Sequence, residues 1–232
     1  MSNWNDIWKS RDTNSRIEGS PLTKLMLLNG YDSATGSLDE EDWQTWVLHL
    51  AAKHNIEHGT SVFEVGCGAG AFLYPLHEQG ARVAGSDISQ TLIDYARGVF
   101  TSSDFEVAEA KDLPTSPAYD VVLSMGVFLY FPNLEYASNV FKRMIKKARH
   151  SVSILDIPNV QYRDATEAKR RELVGAKEYE QKYSGLQHLY YSKNWFVEQA
   201  AAVGVSIELY DQNLTGYNNS DGRFNVFLEK ET

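Results

Sequence analysis

Ser61-Val62-Phe63-Glu64-Val65-Gly66-Cys67-Gly68-Ala69-Gly70-Ala71-Phe72-Leu73 is the stretch that decides the fold. A mostly apolar run of strand length passes into a turn carrying three glycines and then into a segment of helical composition. Glycine lets the backbone turn sharply and leaves room for a ligand against the main chain. The helix that follows presents unpaired N–H groups and the positive end of its dipole, which suits an anionic ligand group.

Downstream of residue 60, strand and helix patterns alternate, as in a mostly parallel sheet. Strands are expected at 61–65, 82–86, 104–108, 119–124 and 151–156, with helices near 69–78, 89–99 and 134–148. Residues 160–191 break the rhythm with a long polar, tyrosine-bearing insert, after which come a helix at 193–203 and strands near 205–210 and 223–229. Upstream, residues 1–60 carry no strand pattern. Trp4, Ile7 and Trp8 recur at helical spacing, Pro21 precedes Leu22, Leu25, Met26 and Leu27, and turn formers run from Asn29 to Ser37. Ser37-Leu38-Asp39-Glu40 reads like a capping box before the apolar stripe Trp43, Trp46, Val47, Leu50 and Ala51. The expectation is one α/β domain over 1–232: a helical cap at 1–60, a binding core at 61–157, a lid insert at 158–192, and a C-terminal helix and strand hairpin at 193–232. Its sheet has seven strands, mostly parallel with the last antiparallel, and helices on both faces.

At 232 residues, with 43% hydrophobic and 23% charged residues, the chain can bury a continuous sheet. A net charge of −9 argues against a nucleic-acid partner, whose phosphates call for a basic face. The one dense basic cluster, Lys142 and Arg143 with Lys146, Lys147 and Arg149, reads as a solvated helix face. A single cysteine, Cys67, excludes an intramolecular disulfide, and it reads as a small residue that fits the turn. His54, His58 and His77 have no ligand-like grouping, so no metal is expected. No apolar run approaches the roughly 18 residues of a membrane span. The start Met1-Ser2-Asn3-Trp4-Asn5-Asp6 lacks the basic and apolar regions of a signal peptide, so the cytoplasm is the expected location. The sequence does not address oligomeric state.

Three further elements sharpen the reading. Val83-Ala84-Gly85-Ser86-Asp87 is a second strand ending in an acid, placed where a carboxylate accepts hydrogen bonds from both hydroxyls of an adenosine ribose. Asp87 also has a plainer reading as a cap for the helix beginning near Ser89. Glu109-Ala110-Lys111-Asp112-Leu113-Pro114 follows the third strand, and Tyr119-Asp120-Val121-Val122-Leu123-Ser124-Met125-Gly126-Val127 empties into a small-residue loop. In order and spacing these elements resemble the class I S-adenosylmethionine-dependent methyltransferases of small-molecule type, over roughly residues 60–157. Glu64, Gly66, Gly68 and Gly70 match that family's acid-x-Gly-x-Gly-x-Gly motif. Asp87 matches its second-strand acid, and Glu109 to Pro114 its acidic-Ala-x-x-Leu-Pro motif, with Glu109 where aspartate is commoner.

The resemblance implies a Rossmann-like fold and S-adenosylmethionine as cofactor. It places Gly66, Cys67 and Gly68 along the methionyl and ribose parts, Asp87 and Ile88 at the ribose, and Glu109 with the Ala110 main chain at the adenine edge. Ser124 and Met125 fall near the sulfonium end, and Glu64 orients the glycine loop and the cofactor's amino group. Trp8, with Trp4, has an aromatic face suited to a sulfonium; packing of an amphipathic helix is the other reading.

Methyl transfer from a sulfonium needs a nucleophile held in line, water excluded and sometimes a base, so no dedicated catalytic residue is required. His188 is the candidate base and Tyr130 a second catalytic candidate. Tyr130, Tyr190, Tyr191, Arg223 and Asn225 are the acceptor-lining candidates, with Tyr217 to Asn219 nearby. The expected partner is a small-molecule acceptor, sugar-like or a secondary metabolite, methylated on oxygen or nitrogen. Two alternatives stand beside this. Gly66-x-Gly68-x-x-Ala71 also satisfies the NAD-dependent oxidoreductase fingerprint, and the insert could make the chain a non-catalytic S-adenosylmethionine-binding subunit.

Overall fold

The structure is a computed structural model describing residues 4–11, 18–31, 37–101, 103–175, 177, 179–180 and 185–230. The expected turn segment 32–36 and part of the expected lid, 181–184, lie outside the described residues.

Three helices come first: α1 (Trp4–Lys9), α2 (Pro21–Leu28) and α3 (Glu40–Lys53). The alternating core follows as β1 (Ser61–Val65), α4 (Leu73–Glu78), β2 (Arg82–Asp87), α5 (Gln90–Val99), β3 (Asp104–Val107), β4 (Tyr119–Met125), α6 (Leu134–Lys147) and β5 (Ala148–Pro158). The chain ends in α7 (Arg163–Val174), α8 (Lys193–Val203), β6 (Ser206–Asp211) and β7 (Arg223–Glu229). The seven strands form one sheet in the order β3-β2-β1-β4-β5-β7-β6, and only β7 runs antiparallel to its neighbours.

Strand periodicity divides the core between the two faces. Val62, Val121 and Leu123 pack under α2, α3, α4 and α5, while Phe63, Val65 and Val122 pack under α6 and α8. The cap is fastened to the glycine turn by Trp43, which is fully buried and whose indole N–H donates to the Ala71 carbonyl at 3.0 Å. Among the described residues no helix is long and apolar enough to cross a membrane.

Four local expectations are corrected. Helix α4 starts at Leu73, not 69, because Gly66, Gly68 and Gly70 hold positive φ values of 75°, 55° and 94° that a helix cannot contain. Asp39, not Ser37, caps α3 by accepting from the Asp42 N–H at 2.9 Å; Glu40 instead accepts from the hydroxyls of Ser20 and Thr23, tying α3 to α2. Lys147 is not on a solvated face: it is 1% exposed, donates to the Pro114 and Pro117 carbonyls at 2.9 and 3.3 Å, and sits over the Phe63 ring. Burial lowers its pKa. The polar insert contains helix α7, whose Ala, Glu, Lys and Arg residues favour helix without the apolar stripe that periodicity detects.

Trp43→Ala is expected to cost about 3–5 kcal/mol in urea unfolding, because it removes a buried ring and leaves the Ala71 carbonyl unpaired. Trp43→Phe should cost less. A loss below ~1 kcal/mol for the alanine variant would show that the cap is not fastened there.

Candidate functional site

A cavity of about 1340 Å³ runs along the C-terminal ends of β1, β2, β4 and β5, where ligands bind in open parallel sheets. Its first half is built on the glycine turn. A side chain at Gly66 would collide with Val127, and one at Gly68 with Asn29. Asn29, at the end of α2, bonds both sides of the turn: its Oδ1 accepts from the Ala69 N–H at 2.7 Å and its Nδ2 donates to the Cys67 carbonyl at 3.0 Å. Asp87 closes the turn from β2. Its Oδ2 accepts from Gly68 N–H at 2.9 Å and its Oδ1 from Ser89 N–H at 2.8 Å, so it braces the start of α5 and still lines the cavity.

Glu64 stands at the centre of this half. It is 1% exposed, it lines the cavity, and its Oε2 has no hydrogen-bond partner among the described residues. Burial, with the Asp87 charge adding to it, pushes its carboxyl well above the usual carboxylate range. An ammonium group in the cavity would satisfy that oxygen. Gly66, Gly68, Ile88, Glu109, Ala110, Met125 and Trp8 line the cavity as well.

Cys67 and Ser124 do not. The Cys67 thiol is buried against Gly85, and its main-chain N–H and carbonyl are spent on Ser86 and on Asn29 and Gly70. Ser124 is fully buried and its hydroxyl donates to the Val65 carbonyl at 2.9 Å, latching β4 to β1.

The second half centres on Asp156, near the end of β5. It is 4% exposed and holds a positive φ of 59°, uncommon outside glycine. Its Oδ1 accepts from Gln212 Nε2 at 2.9 Å and its Oδ2 from the Tyr217 hydroxyl at 3.1 Å. Arg223 Nη1 donates to its carbonyl at 3.0 Å, and Arg223 Nε lies 3.7 Å from Oδ1. Burial raises the Asp156 pKa against the opposing pull of Arg223. Gly126 keeps the approach clear: a side chain there would begin 3.3 Å from both Asp156 Oδ2 and the Tyr31 hydroxyl.

Arg223 lines this half, as the alternation in β7 implied, whereas Asn225 is fully buried beneath it and accepts from the Asp156 N–H at 2.9 Å. Asn225 therefore supports Asp156 and does not line the cavity.

The roof joins the N-terminal helix to the insert. Trp4 donates to the Gln187 carbonyl at 3.1 Å and stacks on His188 with centroids 4.6 Å apart; Trp4 and Trp8 both contact Tyr130. His188 and Tyr130 line the cavity. Arg170 on α7 hydrogen-bonds His188 Nδ1. A guanidinium only donates, so Nδ1 accepts and the ring proton sits on Nε2. Burial, then Arg170 and Arg223, hold the His188 pKa well below its ordinary value. In this arrangement His188 is a neutral donor, which removes the reason to assign it as the base.

Tyr190 and Tyr191 do not line the cavity. Tyr191 is fully buried, donates to the Phe128 carbonyl at 2.8 Å and packs on Phe196, while Tyr190 lies under the Arg163 guanidinium. Sequence reasoning missed Asn29, Tyr31, Asp156 and Arg170. Only Asp156 carried a usable signal, as an acid near the C-terminal end of a parallel strand.

Residues 63–151 match the family described as "Methyltransferase domain". Over that stretch the chain is similar to a methyltransferase domain. That family uses S-adenosylmethionine. The chain is 28% identical over 93 residues to a ubiquinone biosynthesis O-methyltransferase of Rhizobium leguminosarum, covering 38% of this chain and 37% of that one. It is 28% identical over 111 residues to the chloroplastic magnesium protoporphyrin IX methyltransferase of Arabidopsis thaliana, covering 46% and 35%. The matched stretches thus span little more than a third of these relatives' length. In structure, the Synechocystis PCC 6803 magnesium protoporphyrin IX methyltransferase with bound S-adenosylmethionine superposes with a TM-score of 0.60 at 17% identity, over 98% of this chain and 95% of that one. The plantazolicin methyltransferase BpumL, in complex with a monoazolic desmethylPZN analog and S-adenosylhomocysteine, gives 0.63 at 16% identity over 83% and 86%. These likenesses establish the Rossmann-like methyltransferase fold.

The Glu64 environment has a measurable consequence. A carboxyl raised in the folded state costs no stability below its unfolded pKa of about 4.3, and costs progressively more as pH rises from there towards its folded pKa. Glu64→Gln keeps the shape and removes the ionisation. In the ligand-free protein the variant should gain stability relative to the parent between pH 5 and pH 8 in urea unfolding. An unchanged difference between the two pH values would mean that burial does not raise the Glu64 pKa.

Proposed function

We propose that the chain is an S-adenosylmethionine-dependent methyltransferase that acts on an oxygen or nitrogen of a small-molecule acceptor, sugar-like or a secondary metabolite. One observation carries this reading: the groove over Gly66 and Gly68, with Asp87 and the unpartnered Glu64 oxygen, is continuous with a pocket ending on Asp156, Tyr31 and Tyr217. Each half suits one of two reactants, and the sheet holds them end to end.

The donor half fits the cofactor. Each Asp87 oxygen has spent one lone pair on a backbone N–H and keeps another for a ribose hydroxyl. Glu64 offers its free oxygen to the amino group, Glu109 and Ala110 flank the adenine, and Met125 lies towards the sulfur, with Trp8 over it. Bound there, S-adenosylmethionine supplies a methyl group on a positively charged sulfur. The protein's task is then alignment and dryness.

Asp156 is the group best placed to receive the acceptor's proton: a desolvated carboxylate, oriented by Tyr217 and Gln212, facing the loop that follows β4. Tyr31 and Tyr130 line the pocket where the acceptor would be positioned. We further propose that α1, α7 and residues 185–189 form the lid, since Trp4, His188 and Arg170 meet across the mouth.

Calorimetry should show S-adenosylhomocysteine binding and no NAD binding, and NAD binding without the sulfur ligand would overturn the assignment. Asp87→Ala should weaken S-adenosylhomocysteine by roughly 1.5–3 kcal/mol, as expected for hydrogen bonds to a charged acceptor. With an acceptor found by screening phenols, amines and sugars, Asp156→Asn should lower kcat by about a hundredfold and leave cofactor affinity nearly unchanged. Equal kcat would remove Asp156 from the chemistry.

A further inference from the structure

The acceptor half of the cavity carries a charge pattern that the transfer itself does not require. Three cations line it: Lys169 and Arg170 from α7, and Arg223 from β7. Asp156 balances Arg223. Arg170 has no carboxylate partner among the described residues, because the nearby acids Glu167 and Glu180 pair with Arg163 and Arg171. Among the described residues Lys169 donates only to the Asn218 carbonyl, at 2.9 Å. This lobe is therefore left positive in a chain of net charge −9.

The neutral groups around Arg170 are donors too. His188 Nδ1 is taken up by the guanidinium, so Nε2 carries the proton, and that atom is buried with no partner among the described residues. A buried donor left unpaired costs roughly 1–3 kcal/mol, a cost that a bound acceptor atom would offset.

Resting on the methyltransferase reading, we propose that the acceptor bears an oxyanion, a carboxylate or phosphate, drawn to the Arg170 guanidinium, while His188 Nε2–H, on the other side of the ring, donates to a separate acceptor atom of the same ligand. A planar guanidinium fork and an imidazole N–H form a donor-only set, which a neutral hydroxyl or amine does not call for. Asp156 sets the polarity of the pair. The anionic end of the acceptor is drawn to Arg170, and the end that loses a proton is turned to the carboxylate. Arg170 and Asp156 line the same cavity.

The test uses the full chain loaded with S-adenosylhomocysteine, titrated with benzoate, phenyl phosphate and benzamide and followed by the fluorescence of Trp4 and Trp8, which line the cavity. One of the two anions should bind at least ~tenfold tighter than the amide, the scale of one charge-assisted hydrogen bond. Benzoate ahead of phenyl phosphate identifies a carboxylate, and the reverse a phosphate. Arg170→Ala should erase the preference and leave S-adenosylhomocysteine affinity within about twofold; Arg170→Gln, which keeps the long stem, should do the same if the alanine variant folds poorly. The proposal fails if the three probes are indistinguishable up to millimolar concentration, if the preference survives in the variants, or if the variants lose S-adenosylhomocysteine, which would assign Arg170 to the cofactor. If the parent protein binds no S-adenosylhomocysteine at all, the methyltransferase reading itself has failed.

Discussion

The close approach of backbone at the turn after β1 is the constraint on which the rest of the molecule depends. Gly66 and Gly68 sit at positive φ with neighbouring side chains where their own Cβ would be, so the turn exists only with glycine there. Its peptide groups need partners, and they come from three directions: Asn29 from the cap, Asp87 from β2, and the Ser86 carbonyl, which accepts from Gly66 and Cys67. Trp43 adds a fourth tie one step along. The cap is thus a structural partner of the binding turn as well as a cover. Its helices fix the far side of the surface on which the donor half is built.

A second centre of order lies around Asp156. A buried acid in a positive-φ backbone is costly twice over, and the surrounding residues are arranged to hold it. Asn225 and Arg223 bind its main chain, and Gln212 and Tyr217 bind its carboxylate. Each of those partners comes from β7 or the loop leading to it. The antiparallel last strand therefore extends the sheet and also carries the supports of the pocket.

The core alternation, the antiparallel final strand and the donor half were legible in the sequence because each is local: a strand, a turn and an acid at fixed spacing. Gly66, Gly68, Asp87, Glu109 and Met125 fell where their motifs place them along the cavity. Cys67 and Ser124 failed within the same motifs, because alternation along a strand or turn sends neighbours to opposite sides and spacing alone does not say which side faces the ligand. The acceptor half was scarcely legible. Tyr31, Arg170 and Arg223 come from segments far apart in the chain, and nothing in the polar pattern of α7 marks Arg170 over Lys169 or Arg171. Tyr190 and Tyr191 were attractive as aromatics beside a returning helix, yet Tyr191 is a core residue whose hydroxyl is spent on a main-chain carbonyl.

The distribution of charge between core and periphery follows the same division. The carboxylates at the strand ends, Glu64, Asp87 and Asp156, belong to the scaffold, and burial raises all three pKa values. Such groups are unfavourable in an empty site and become favourable when a cationic, hydroxyl-rich donor arrives, so part of the fold's stability is exchanged for affinity at that position. Lys169 and Arg170, which have no carboxylate partner among the described residues, belong to the insert. The ties of the glycine turn, Asn29 and Asp87, and the unmatched cations thus lie on separate elements, so the charge of α7 can vary without touching the turn.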